Sequence, residues 1–186
     1  MGIFVAVPVP DSVKQHARML RNELGISQAD VKWVEYKNYH LTLKFLGEVH
    51  ADSLAAISAS LTMAAESCPA FNLAAGSLGF FPNRQAPRVI WIGIKGELDK
   101  AAFLGERVDA YLAAQGFEAE KEHRFHLTLG RIRSDDHKKE LLKAAEELPG
   151  RSKLTTFKVE QFQLMQSSLT AGGPVYTTLE TFTLKG

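Results

Sequence analysis

The chain has 186 residues, of which 45% are hydrophobic and 23% charged, enough for one large domain or two tightly joined lobes. Its formal net charge of +1 argues against coating long DNA or RNA by charge, although a small basic pocket stays compatible with it. A single cysteine, Cys68, allows no intrachain disulfide and reads as a buried thiol in a reducing compartment.

Residues 2–8 read as a buried first strand, too short and too Pro-broken for a signal peptide. Met1-Gly2 begins like a myristoylation site, but Ala6 stands where Ser or Thr is needed. Pro10-Asp11 opens a helix with Val13, Ala17, Leu20 and Leu24 on one face, ended by Gly25. Residues 27–32 form a loop, and a short strand is expected at 31–34. A strand over 39–46 stops at Gly47. The next helix is capped by Asp52 or Ser53, carries Leu54, Ile57, Leu61 and Ala65 inward, and closes at Pro69.

Residues 71–81 read as a strand in which Gly76 and Gly79 hint at a bulge or a close backbone approach. A loop with two prolines comes next, then a strand over 89–94. A helix from 98 to 115 presents Leu104, Val108, Tyr111 and Leu112 and ends at Gly116. After a strand at 125–132, Ser134-Asp135-Asp136 is expected to start a fourth helix with its acids on the dipole, stopped by Pro149-Gly150. One strand over 154–165, a loop over 166–174 and a last strand over 176–184 complete the chain. No run is long and apolar enough to span a membrane, so the expected location is the cytoplasm. No assembly motif appears, so a monomer is expected.

Two of these strands share a four-residue string. His40-Leu41-Thr42-Leu43 recurs as His126-Leu127-Thr128-Leu129. Alternation buries the leucines and turns an imidazole and a hydroxyl to the opposite face, in the same phase both times. After each copy, a short loop leads into a helix. The pattern reads as an α+β domain of two similar lobes, each a sheet with helices on its outer face, meeting at a central groove.

A lone strand histidine is more often packed or solvated than catalytic. A matched pair beside two hydroxyls fits displacement at phosphorus. That reaction needs a base for the attacking oxygen and an acid for the leaving one, and imidazole serves either role near neutral pH. Threonine hydroxyls suit the non-bridging oxygens, which gain charge in the transition state. No metal or cofactor is required. A histidine zinc site would want a further His, Cys or carboxylate, and neither copy has an acid at i+2.

The other histidines are weaker candidates. His16 and His137 fall in expected helices and read as solvated, His50 lies in a turn, and His123 reads as structural or peripheral. Basic residues gather at Arg84, Arg88 and Lys95 and at Lys121, Arg124, Arg131 and Arg133. Such runs are usually solvated faces, but beside a phosphate site they suit an anion clamp. Strict alternation puts Lys44 on the His40 face and Arg131 opposite His126, unless Gly130 bends the strand. Phe45 and Phe80-Phe81 are base-stacking candidates, with core packing the commoner role for such residues.

These residues resemble the 2H phosphoesterases, whose mark is two His-x-Thr-x strands, and within them the bacterial RNA 2′,3′-cyclic phosphodiesterases, also named 2′-5′ RNA ligases. The resemblance rests on His40 through Gly47, Phe4-Val5-Ala6-Val7, Gly79-Phe80-Phe81-Pro82, Arg88-Val89-Ile90-Trp91, His126 through Arg131, Leu164-Met165-Gln166-Ser167, Gly172-Gly173 and Tyr176. It implies a bilobal, pseudo-two-fold α+β fold over residues 1–186, with two antiparallel sheets lining a central cleft. It also implies metal-independent opening of 2′,3′-cyclic phosphates at RNA ends, or on nucleosides, to 2′-phosphomonoesters, with ATP-independent 2′-5′ ligation as the reverse reaction. By the same resemblance His40 is the proton donor, His126 the proton acceptor, Thr42 and Thr128 phosphate ligands, Arg131 a phosphate contact and Phe45 a base-stacking residue. The competing expectations are a non-catalytic binder of RNA ends or 2′-phosphonucleotides, and a metal hydrolase.

Overall fold

The computed structural model describes residues 1–149 and 153–186. Its strands are β1 (Gly2–Pro8), β2 (Val31–Trp33), β3 (His40–Glu48), β4 (Phe71–Phe81), β5 (Val89–Gly96), β6 (His126–Ile132), β7 (Thr155–Val159), β8 (Gln161–Thr170) and β9 (Gly173–Thr183). Its helices are α1 (Asp11–Gly25), α2 (Leu54–Glu66), α3 (Leu98–Leu112) and α4 (Lys138–Glu147). One antiparallel sheet has the order β3-β1-β8-β9 and the other β2-β6-β5-β4-β7. This is the expected α+β architecture of two sheets with outer helices.

The histidine strands β3 and β6 each lie beside a hydrophobic partner, β1 and β5, in the same register. Pro8 faces His40 and Gly93 faces His126; Ala6 faces Thr42 and Trp91 faces Thr128. In both ladders the fourth motif residue, Leu43 or Leu129, is an extra residue without a ladder partner. The sixth residues then realign, Phe45 opposite Phe4 and Arg131 opposite Val89. The repeat is therefore a duplicated ladder that includes its bulge, not merely a repeated string.

The helices cross between the lobes. α1 comes after β1 of the first sheet but packs on α4 and β7 of the second lobe. Its buried stripe is Val13, His16, Ala17, Leu20 and Leu24. α3 comes after β5 of the second sheet yet packs on α2, which lies against β8 and β9. Buried side chains from both sheets join one cluster, including Val5, Leu41, Ile92, Leu127, Leu129 and Phe162.

Several expectations are corrected. The single strand expected over 154–165 is two strands in different sheets, because the chain leaves β4's edge at Glu160 and crosses to β1. The loop expected over 166–174 is mostly ladder, since β8 and β9 pair from Gln161–Thr183 to Thr170–Gly173. α4 begins at Lys138, after His137 in a left-handed conformation, so Asp135 and Asp136 precede the helix instead of filling its first turn. His137 accordingly caps a helix instead of lying within one. His16 is 6% exposed instead of solvated, being on the inner stripe of α1. α4 ends before Pro149, and the Gly150 half of the expected stop lies outside the described residues. The hint at Gly76 and Gly79 holds: the β4 ladder slips between Gly76 and Leu78, and a Cβ on Gly79 would lie 2.4 Å from the Trp91 ring.

Candidate active site

β3 and β6 approach each other where the two sheets meet. Between the sheets lies a cleft of about 1260 Å³, lined by His40, Thr42, Phe45, His126, Thr128 and Arg131 among others. All six candidates from the sequence thus share one cavity. The motif leucines turn away into the core: Leu41, Leu127 and Leu129 are fully buried and Leu43 nearly so.

The bulges set which way the residues beyond each threonine point. With Leu43 and Leu129 adding a residue, the strand changes phase, so the sixth residue, Phe45 or Arg131, joins the cleft face. The fifth residue turns inward. Strict alternation therefore fails for both Lys44 and Arg131. Lys44 is 3% exposed and its Nζ donates to Asp109 Oδ1 at 2.7 Å and to the Glu118 carbonyl. At the equivalent place in β6, Gly130 admits Val31, whose Cγ1 lies 2.6 Å from where a Cβ would be.

His40 is held on both sides. Its Nδ1 lies 2.7 Å from the Asn38 carbonyl, which requires an N–H there, and leaves Nε2 toward the cleft, 3.0 Å from Thr42 Oγ1. Phe4 and Tyr176 flank the ring at centroid distances of 5.1 and 5.4 Å. Burial pulls the His40 imidazole below the ordinary histidine value, while the Asn38 carbonyl opposes that by favouring the cation. His126 is more exposed. Burial and the Arg131 guanidinium both favour its neutral form and lower its pKa. The Trp91 ring lies 6.3 Å from it. Two imidazoles that look alike in sequence thus differ: a carbonyl supports the cation on one, and a guanidinium opposes it on the other.

Asn38 also donates from Nδ2 to the Pro174 carbonyl at 3.1 Å, tying the β8–β9 hairpin end to the segment that orients His40. Burial raises the Tyr176 phenol, with Arg131 acting against it, so the guanidinium is felt by both Tyr176 and His126. Phe45 stands 71% exposed at the cleft, 6.1 Å from the Phe4 ring, whereas Phe80 is core. His123 lies against Asp109, with Nε2 2.9 Å from Oδ2 but out of line for a hydrogen bond, and so is structural, as expected. Among the described residues, no three His, Cys, Asp or Glu side chains gather as metal ligands. Asn38, Phe4, Tyr176 and Trp91 were not singled out as site residues from sequence. Of these, Phe4, Trp91 and Tyr176 fall within the strings that carry the family resemblance, while Asn38 is marked only by lying two positions before His40.

Paired imidazoles and hydroxyls on a duplicated ladder, facing one cleft with a guanidinium, define a phosphoesterase of the two-histidine kind. The family model described as LigT like Phosphoesterase matches residues 7–91 and again 92–176, one match for each histidine strand, and the chain belongs to that family. An RNA 2′,3′-cyclic phosphodiesterase of Archaeoglobus fulgidus is 37% identical to it over 185 residues, covering 98% of this chain and 99% of that protein. One from Thermotoga maritima is 31% identical over 179 residues, covering 96% and 93%. Among solved structures, TT0787 of Thermus thermophilus matches with a TM-score of 0.80 and 28% identity, covering 100% of this chain and 99% of that one. E. coli LigT complexed with 3′-AMP matches with a TM-score of 0.80 and 26% identity, covering 100% and 98%.

Proposed function

We propose that this protein hydrolyses 2′,3′-cyclic phosphates at RNA ends to 2′-phosphomonoesters, with the two motif histidines as its acid–base pair. The observation that carries this reading is the duplicated ladder, which presents His40 with Thr42 and His126 with Thr128 to one cleft. Full-length relatives named for the same activity support it.

In the proposed reaction, water attacks phosphorus and gives its proton to the neutral His126 imidazole. The bond from phosphorus to the 3′ oxygen breaks, and that oxygen takes the proton from His40 Nε2. The assignment follows the family resemblance; burial lowers both imidazoles, the Asn38 carbonyl opposing that at His40 and the Arg131 guanidinium adding to it at His126. Thr42 and Thr128 donate hydrogen bonds to the non-bridging oxygens, Arg131 draws the phosphate in, and Phe45 stacks on the terminal base. No step needs a metal or an organic cofactor. The same steps with a 5′-hydroxyl attacking in place of water break the bond to the 3′ oxygen and join the two ends through a 2′-5′ bond without ATP. The lone buried thiol of Cys68 suits the cytoplasm as the site of action.

The test is product identification with a cyclic-phosphate-ended oligonucleotide and a chelator present. The expected product is the 2′-phosphate. His40→Ala and His126→Ala should each lower turnover by about 10²–10⁴-fold with the thermal transition unchanged. Near-full activity in both variants overturns the mechanism. Tight binding of a 2′-phosphonucleotide with no turnover between about pH 5 and 9 would make the protein a binding module. Bound stoichiometric zinc with loss of activity on chelation would make it a metal hydrolase.

A further inference from the structure

The cleft's acids are already matched within the molecule. Glu48 pairs with the N-terminal ammonium at 2.9 Å, Glu35 with Lys37 at 3.5 Å, Glu120 with Lys44 at 3.5 Å and Glu122 with Arg124 at 2.7 Å. Three cleft-lining cations, Lys32, Lys121 and Arg131, have no such partner among the described residues. Two of them are placed together. Lys32 on β2 and Arg131 on β6 are direct cross-strand partners, and their neighbours Val31 and Ile132 are buried, so both long cations rise from the cleft face of the second sheet. Like charges directly opposite destabilise an antiparallel pair. An anion seated between them reverses the sign. The β8–β9 hairpin end bounds this place: Lys32 Nζ lies 3.8 Å from where a Cβ on Gly173 would be, and Asn38 holds the next residue, Pro174, by its carbonyl.

Along β6, Arg131 lies two ladder steps beyond Thr128, about 7 Å. That is comparable with the separation of neighbouring phosphates along one strand. We infer that Lys32 completes a second phosphate subsite, taking the phosphate on the 5′ side of the terminal nucleoside, with Arg131 between it and the cyclic phosphate held at the histidines. This rests on the proposed function and gives it a substrate class. A cyclic end carries its next phosphate only on that side, so the subsite selects phosphorylated or oligonucleotide ends over bare nucleoside cyclic phosphates. Lys32 is the residue this adds.

The test compares wild type with Lys32→Met on three probes, read by binding and by kcat/KM. They are a dinucleotide ending in a 2′-phosphate (cyclic for kinetics), the same dinucleotide with a neutral methylphosphonate link, and the 5′-hydroxyl mononucleotide. The variant should weaken the charged dinucleotide roughly tenfold and leave the other two unchanged. Its salt dependence for the charged probe should fall by about 0.7 in log–log slope. A 5′-phosphorylated mononucleotide shows whether a free phosphate suffices: a Lys32-dependent gain there assigns the subsite to the phosphate itself, and a gain limited to the dinucleotide assigns it to the bridging diester. Equal weakening of all probes, or of none, overturns the inference. Binding is read without turnover, so failure of the cyclic phosphate reaction and failure of the subsite give different results. Unchanged thermal unfolding of Lys32→Met guards against a folding defect.

Discussion

Burial lowers both imidazoles, and one neighbour distinguishes each from the other. The Asn38 carbonyl fixes the tautomer of His40, and Arg131 biases the charge of His126. Both pKa values lie below the ordinary histidine value of about 6.5. In the proposed mechanism the reactive free enzyme holds His40 protonated and His126 neutral. Its alkaline limb is therefore governed by His40 and its acid limb by His126, and the kcat/KM optimum should fall on the acid side of about pH 6.5. Arg131→Met removes a charge that disfavours the His126 cation, so that pKa rises and the acid limb moves to higher pH. A pH–rate profile with the limb unmoved, or moved down, would contradict this electrostatic role. At this scale the sequence was readable where phase alone mattered, as for His40 and Thr42. Phe4 and Tyr176 became site residues only because β1 and β9 bring them to His40 from 36 positions before and 136 after it.

Elements place those residues, and the bulges do most of the placing. Without the extra residue at Leu129, Arg131 would point into the core and Gly130 into the cleft. Gly130→Ala puts a Cβ 2.6 Å from Val31 Cγ1 and 3.2 Å from the Lys32 carbonyl, so β2 must shift. We expect a loss of about 1–3 kcal/mol in denaturant stability, together with weaker phosphate binding as Lys32 and Arg131 separate. Gly79→Ala drives the Trp91 ring from a 2.4 Å overlap, and that ring lies beside His126. Its effect should appear in kcat as well as in stability; normal kcat would show that Trp91 does not brace the imidazole. Gly130 was visible in sequence as a place where alternation can break, yet alternation contains nothing that says which residue is extra. That depends on the partner ladder. The same limit explains the 154–165 segment, whose periodicity is real but whose two halves find different sheets.

Across the whole molecule, the crossed helices tie the lobes together. Asp109 on α3 reaches under the first sheet to Lys44 on β3, accepts the Glu120 backbone N–H at 3.0 Å and touches His123. One carboxylate thus joins the strand bearing His40 to the segment leading into His126. Lys44→Met leaves Asp109 buried without its cation, a change that costs about 3–5 kcal/mol, and it frees the wall near Lys121, so KM should rise. Restored stability with Lys44→Met plus Asp109→Leu, measured by thermal unfolding, would confirm the orphaned charge as the cause. Because α1 and α3 each pack on the opposite lobe, we also expect one cooperative transition. Trp33 and Trp91 fluorescence, which reports the second sheet, should coincide with far-UV circular dichroism; separate midpoints would show independently folding halves.

Local chemistry alone was enough to specify the apolar stripe of α1, the buried faces of the histidine strands and the repeated imidazole–hydroxyl pair. Period and residue type are properties of a short window, so they survive without the partner. The bulge phase, the inward turn of Lys44, the crossing of the helices and the meeting of Lys32 with Arg131 arise instead from long-range packing. Each of these depends on which distant strand supplies the hydrogen bonds, and no window of sequence contains that partner.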